Sequence, residues 1–263
     1  MLGPMREIVR SVGRQLGEMH TVLASGTEPS FCPEPFSLLY QRSIHQSIDA
    51  LLTRVLRSLD GLPENLPDGV AADAKALVAR RRQIAARLRR LLTGKFGGTR
   101  IRIHGDLGFA TFRQTEHGTL MLDFAAAPSR PSGARHRRQS ALEDVAAMIG
   151  SVHDLALGRL DEAGIGAQLR AQDMATVDVW AGQWCAWVSA AFLDGYRAAT
   201  REAPFLPPSD DEWVALLDAF RLRRALDRLA GDIRDRSGRL AASVRALCEL
   251  TDSWPALTDR SGT

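Results

Sequence analysis

Residues near the middle of the chain have the types and spacing of a phosphoryl-transfer site. His104, Gly105 and Asp106 follow a segment that alternates apolar and polar residues, and Asp123 with Phe124 stands seventeen residues after Asp106. Phosphoryl transfer needs one carboxylate that orients the attacking hydroxyl and another that holds Mg²⁺ against nucleotide phosphates. Asp106 suits the first role and Asp123 the second. The alternative is a structural hairpin whose two aspartates only make turn hydrogen bonds.

The elements around this motif are patterned mainly as helices. Apolar residues at helical spacing predict helices over residues 6–24, 37–59, 69–93, 141–152, 174–200, 210–229 and 239–250. Period-two alternation and turn residues predict short strands over residues 100–104, 109–113 and 119–124, with a turn at 116–118. The sequence therefore predicts a mainly α protein with a small central β-hairpin. We expect one domain over residues 1–263, helical over 6–95, with the hairpin over 99–128, helices again over 140–250 and a tail over 251–263.

Composition narrows the class of protein further. With 263 residues, 45% of them hydrophobic and 25% charged, the chain is globular, and a formal charge of +3 is nearly neutral. Only Lys75 and Lys95 are lysines, so almost all of the positive charge is arginine. The arginine-rich run over residues 80–90 lacks interleaved aromatic residues and is interpreted as a solvated helix face, so no nucleic-acid partner is expected.

The cysteines and the apolar runs indicate the compartment. Cys32, Cys185 and Cys248 are odd in number and far apart, which does not suggest a disulfide framework. The first ten residues lack the apolar core of a signal peptide, and no run of 18 apolar residues predicts a membrane span. We therefore expect a cytoplasmic protein that does not enter a membrane.

Longer stretches resemble a known kinase family. His-Gly-Asp-Leu at residues 104–107 is similar to the catalytic loop of aminoglycoside-phosphotransferase-like kinases. Within that superfamily the chain resembles the C-terminal lobe of maltokinase, which is also found fused to trehalose synthase. The stretches over residues 31–36, 137–149 and 187–196 carry this resemblance, which extends over roughly residues 6–250.

The resemblance implies a protein-kinase-like C-lobe without its N-lobe, and transfer of the ATP γ-phosphate to maltose, giving maltose 1-phosphate, with Mg²⁺ as cofactor. Maltose or a related α-glucoside would be the ligand. An N-lobe-bearing or trehalose-pathway protein, or a second copy of the chain, would cover the exposed lobe. The site residues implied are Asp106 and His104 in the catalytic loop, Asp123 and Thr111 toward the metal, and Tyr196, Asp194, Arg135 and Arg138 toward the substrate.

The chain also departs from the family pattern at its site. Residues 108–111 read Gly-Phe-Ala-Thr where the family has His-Leu-Gly-Gln, and residues 125–128 read Ala-Ala-Ala-Pro where the family has Glu-Gly-Glu-Pro. No glycine-rich loop or strand-borne lysine precedes the helices. We therefore expect a truncated maltokinase-like protein with little or no turnover alone. The alternatives are a non-catalytic module that binds a sugar or a partner, and one half of a split kinase.

Overall fold

The computed structural model describes residues 2–62, 68–116, 118–124, 137–162 and 171–254. Its helices and strands are α1 (Leu2–Ala24), β1 (Glu34–Pro35), α2 (Leu38–Asp60), α3 (Asp68–Ala79), α4 (Arg81–Leu88), β2 (Thr99–Arg100), β3 (Phe112–Thr115), β4 (Gly118–Met121), α5 (Leu142–Glu162), α6 (Ala171–Ala199), α7 (Asp210–Arg234) and α8 (Leu240–Asp252). Single 3₁₀ turns cover Arg89–Leu92 and Phe109–Thr111. No helix in these ranges is long and apolar enough to cross a bilayer.

The chain divides into two compact units. Unit 1 comprises Met1–Phe36 and Phe96–Leu217, and unit 2 comprises Ser37–Lys95 and Asp218–Thr263. The mainly helical character that the sequence predicted is confirmed, with two small antiparallel β pairs in the described ranges.

In unit 1, helices α1 and α6 pack backbone against backbone. A Cβ built on Gly13 would lie 2.0 Å from the carbonyl oxygen of Phe192, and one built on Gly195 would lie 2.0 Å from that of Arg10. Real side-chain carbons do not approach carbonyl oxygens this closely, so only glycine permits the contact at either position. Gly17, one turn further along α1, faces Ala199 in the same way.

This packing decides which face of α1 is buried. Val9, Val12, Leu16 and His20 lie inside, whereas Ile8, an apolar residue one turn before Val12, is exposed. Apolar spacing alone does not define the buried face of α1, because glycines, which carry no hydrophobic signal, form much of its contact with α6.

The strands of unit 1 are short and connect distant segments. β1 pairs with β2 in antiparallel register, Glu34 opposite Arg100, and Ile101 forms one further bridge to Gln139. β3 and β4 form the predicted hairpin. The strand expected over residues 109–113 begins only at Phe112.

That correction has a local cause. The Thr111 backbone N–H and hydroxyl both donate to the Gly108 carbonyl, at 3.0 and 2.7 Å. The Phe109 N–H donates to the Ser151 hydroxyl at 2.9 Å. These bonds fold residues 109–111 into a 3₁₀ turn, and the strand can start only after it.

Unit 2 is held by helical packing and a buried ion pair. The Arg87 guanidinium donates to Asp218 Oδ2 through Nε at 3.1 Å and Nη2 at 2.7 Å. The Gln41 side-chain amide donates to the carbonyls of Leu91 and Gly94, closing the turn after α4.

The single helix expected over residues 69–93 is wrong, since α3 ends at Ala79 and α4 starts at Arg81. Arg80, between them, departs from helical geometry with ψ near 0°, and its guanidinium pairs with Asp252 at 2.5 Å. No proline or glycine lies at the break, so the local pattern does not reveal it.

The glycine contact can be tested directly. Gly13→Ala should lower the free energy of unfolding of the chain by about 1–3 kcal/mol, as overpacking does, because the new methyl group meets a carbonyl that cannot move aside. Gly182→Ala on α6 is the control: nothing lies within 4 Å of its added methyl group, and it should stabilise the helix by up to about 1 kcal/mol. Urea unfolding followed by circular dichroism measures both. Equal effects of the two substitutions would contradict the packing described.

Candidate active site

The loop that carries His104 and Asp106 is shaped by a buried carboxylate. Asp144, in the first turn of α5, is 1% exposed. Its Oδ2 accepts from the His104 backbone N–H at 2.7 Å, and its Oδ1 accepts from that of Gly105 at 2.9 Å. Gly105 has φ of +85°, a conformation that side-chain-bearing residues rarely adopt. Both oxygens of Asp144 therefore define the backbone just before Asp106.

Asp144 is in turn held from α1 and α6. His20 Nε2 lies 3.1 Å from Asp144 Oδ2, and His20 Nδ1 lies 3.1 Å from the Tyr196 hydroxyl. Since a carboxylate only accepts, Nε2 carries a proton, and in the neutral ring Nδ1 accepts from the tyrosine. Burial, and then the neighbouring Asp144, raise the pKa of Tyr196 well above its ordinary value, so the hydroxyl keeps its proton.

The His104 ring joins the two halves of the motif. Its Nε2 donates to the Leu122 carbonyl at 2.8 Å, and its Nδ1 accepts from the Asp106 backbone N–H at 3.3 Å. The Phe124 ring packs against it with centroids 4.9 Å apart. The ring thus ties the loop before Asp106 to the segment before Asp123, and both of its nitrogens are used for that purpose.

Asp106 and Asp123 are exposed on this frame. Asp123 has φ of +61°, a left-handed conformation that costs an aspartate of order 1–2 kcal/mol and that a surrounding structure must maintain. A strained carboxylate at the end of a hairpin, linked through His104 to a second exposed carboxylate, is an arrangement that can orient a hydroxyl and hold a cation.

Thr111 and Arg138, which were also predicted as site residues, form hydrogen bonds within the fold. Thr111 is buried, and its hydroxyl donates to Gly108. Arg138 bonds Glu34 Oε1 at 2.6 Å and also the Pro29 carbonyl, while Arg100 bonds the other oxygen of Glu34. Arg138 therefore anchors the segment between α1 and α2. Arg135 lies outside the described residues, as do residues 125–128 of the predicted hairpin and most of the predicted tail.

Tyr196 and Asp194 lie apart from each other although they are two residues apart on α6. Tyr196 is fully buried against His20, whereas Asp194 pairs with Arg10 at 3.1 Å and lines an open cavity of about 690 Å³. The cavity is formed by the end of α6, the segment before α7 and Gly98, and its described lining contains no residue of the catalytic loop.

Asp144 and His20 are the residues of this site that sequence reasoning missed. Their signal was present but weak: His20 continues the buried i, i+4 series of Val12 and Leu16, where a polar residue needs a partner. Asp144 follows Glu143 in the first turn of α5, where acidic residues are common, and only the fold shows what it binds.

No family model matches the chain. Among solved structures, its fold is similar to glucosamine kinase in crystal form B, with a TM-score of 0.67 and 21% identity. It is also similar to crystal form A, with 0.69 and 22%, and to glucosamine kinase in complex with glucosamine, ADP and inorganic phosphate, with 0.69 and 21%. These matches cover 93–94% of this chain and 50–51% of those chains. The chain therefore has a sugar-kinase-like fold and spans about half the length of these kinases.

The role of Asp144 predicts a specific loss of stability. Asp144→Asn presents an amide group to at least one of the three N–H groups now bonded, and each buried donor left without an acceptor costs about 1–3 kcal/mol. Urea unfolding should show that loss, whereas Asp154→Asn, further along α5, should cost less because Asp154 is only half-buried. Equal losses of stability in the two variants would contradict the hydrogen bonds assigned to Asp144.

The raised pKa of Tyr196 predicts that the stability of the folded chain depends on pH. Its pKa is raised in the folded chain, so above about pH 10 the unfolded chain loses this proton while the folded chain keeps it. Stability should therefore fall as the pH rises above 10, by up to about 1.4 kcal/mol per unit from this group. Unfolding measured from pH 9 to 11 should show a shallower fall in Tyr196→Phe. A fall of unchanged slope in that variant would contradict the assignment.

Proposed function

We propose that the chain is the acceptor-side half of a sugar-kinase-like phosphotransferase. Asp106 would orient the sugar hydroxyl, and Asp123 would face the metal-bound nucleotide. The observation that carries this proposal is the frame around the two exposed carboxylates: Asp144 holds the loop of Asp106, and His104 links that loop to the segment of Asp123. The sugar-kinase-like fold supports the same conclusion.

The single exposed carboxylate of Asp123 would suit a magnesium ion that is shared with a nucleotide. In the described part of the chain no group of three or more His, Cys, Asp or Glu side chains is arranged to hold a metal by itself. Mg²⁺ at nucleotide sites is commonly held by one or two carboxylates, with phosphate oxygens and water completing the coordination. When bound there, Mg²⁺ supplies neutralisation of phosphate charge. Asp123 would hold it, with ATP as the nucleotide.

The chemistry that this chain's own residues would perform is orientation and proton transfer. The acceptor hydroxyl would lie against the Asp106 carboxylate, which accepts its proton as the oxygen attacks the γ-phosphorus. One P–O bond forms to the sugar, and the bond to the β-phosphate oxygen breaks, which releases ADP. His104 keeps the backbone of Asp106 in place and transfers no proton, since one of its nitrogens is bonded to the Leu122 carbonyl and the other to the Asp106 N–H.

The acceptor that the sequence resemblance favours is maltose, with maltose 1-phosphate as product. The Thr111 hydroxyl is bonded to Gly108, which leaves it poorly placed as a metal ligand. Loss of one electrostatic stabiliser typically costs about 10²–10³ in rate. We therefore propose that the chain alone transfers phosphate weakly.

A non-catalytic binding module is the second candidate. The observation that favours it is the same bonded Thr111 together with the lack, in the described ranges, of a preformed cluster of metal ligands. Such a module would have the same fold and would bind a sugar or a partner protein, but it would not transfer phosphate. A half that works with a second chain is the third arrangement, and it shares the chemistry proposed above.

Nucleotide binding separates the phosphotransferase from the non-catalytic module. Mg-ATP should raise the melting temperature of the chain in a dose-dependent way, and Asp123→Ala should abolish that shift. Glu116→Ala, which removes another exposed carboxylate from the same hairpin, should leave the shift intact. No shift in the unmodified chain would overturn the phosphotransferase proposal in favour of the module.

Transfer is then measured by mass spectrometry with maltose, glucosamine and glucose as acceptors. We expect traces of phosphorylated sugar, most of it from maltose, and none with Asp106→Asn, although that variant should still bind Mg-ATP. Turnover above about 1 s⁻¹, as in ordinary kinases, would contradict the weak activity proposed.

A further inference from the structure

We propose that His20 and Tyr196 are positioning residues that set the geometry of the loop carrying Asp106. The two residues lie on helices α1 and α6. The role of Asp106 itself rests on the proposed function. The hydrogen bonds of their side chains go to each other and to Asp144, and not to the loop itself. They act through Asp144, which both shapes the loop and accepts a hydrogen bond from His20.

One oxygen of Asp144 accepts hydrogen bonds from both the loop and His20. Asp144 Oδ2 accepts from His104 N–H and from His20 Nε2, while Oδ1 accepts from Gly105 N–H. A carboxylate with donors only on the loop side could rotate about its last side-chain bond and lose one amide. The donor on His20 approaches from another element, so it fixes the plane of the carboxylate in which both amides are bonded at once.

The tautomer of His20 decides whether its ring can donate to Asp144. A neutral histidine carries its proton on either ring nitrogen, and only the form with the proton on Nε2 donates to Asp144. The Tyr196 hydroxyl, fully buried, has His20 Nδ1 within 3.1 Å. By donating there it excludes the other tautomer, which would turn a lone pair of Nε2 toward the carboxylate.

The close packing of α1 on α6 brings His20 and Tyr196 together. His20 lies one turn beyond Gly17, and Tyr196 follows Gly195, so both belong to the glycine contact of α1 with α6. Two aromatic rings pack against the pair: the Phe205 ring lies edge-on to His20, and the Phe192 ring stacks on Tyr196. A leucine and a phenylalanine would fill this space, so packing alone does not call for the polar pair.

The test reads the loop directly, without relying on activity. Amide hydrogen exchange by NMR at His104 and Gly105 should become about tenfold faster, relative to the buried α6 amides of Val188 and Phe192, in His20→Leu and in Tyr196→Phe. His20→Gln, whose side chain offers a donor and an acceptor, should restore slow exchange. Ring ¹⁵N shifts of His20 should report the Nε2–H form in the unmodified chain and a mixture of tautomers in Tyr196→Phe.

Matched controls use the same chemical changes elsewhere. Tyr40→Phe alters the only other tyrosine, and His45→Gln alters a histidine of α2. Neither should change exchange in the loop. If His20→Leu does not fold, Tyr196→Phe carries the test, since it removes one oxygen atom. Loop exchange that rises no more than that of the α6 amides in Tyr196→Phe would overturn the inference. Failure of Mg-ATP to bind the unmodified chain would instead overturn the proposed function and leave these exchange results unaffected.

Discussion

The candidate site depends on one buried carboxylate that binds main-chain amides. Asp144 gives the N–H groups of the buried His104 and the partly buried Gly105 their acceptors, and it lies where an uncompensated charge would be costly. Hydrogen bonds to a charged group are stronger than neutral ones, and the cost of removing a partner from such a buried group exceeds the net contribution of the bond. The loop conformation, the left-handed Gly105 included, is therefore a consequence of where α5 places this side chain.

The glycines of α1 and α6 belong to the same constraint. Bonds of ordinary length from Tyr196 through His20 to Asp144 require the two helices to approach until side chains no longer fit between them. Glycine in a helix costs about 1 kcal/mol relative to alanine, and here that cost is offset by packing that a larger residue would prevent. Helix packing and loop geometry in unit 1 are thus two results of one arrangement.

The sequence predicted what is local and missed what is not. The period of 3.6 residues located helices such as α2 and α6, and turn chemistry located the β3–β4 hairpin, because both signals lie within a few residues. His104, Asp106 and Asp123 were found as a motif for the same reason. The bonds of His20 to Asp144 and to Tyr196 span 124 and 176 positions, and no local pattern pairs residues so far apart. The break at Arg80 was missed because no proline or glycine marks it in the sequence.

The two carboxylates of the site differ in how firmly the fold holds them. The Asp106 loop is bonded to α5, and through Asp144 to α1, so its geometry exists before any ligand arrives. Asp123 follows a two-stranded hairpin, an element of marginal stability by itself, and the neighbouring Leu122 is held by backbone bonds to the His104 ring and to Thr111. Under the proposed function, the Asp106 side would be preorganised before the acceptor binds, and nucleotide phosphates would have to complete the metal side at Asp123. A chain with few clustered metal ligands in its described ranges would then still be able to orient an acceptor hydroxyl.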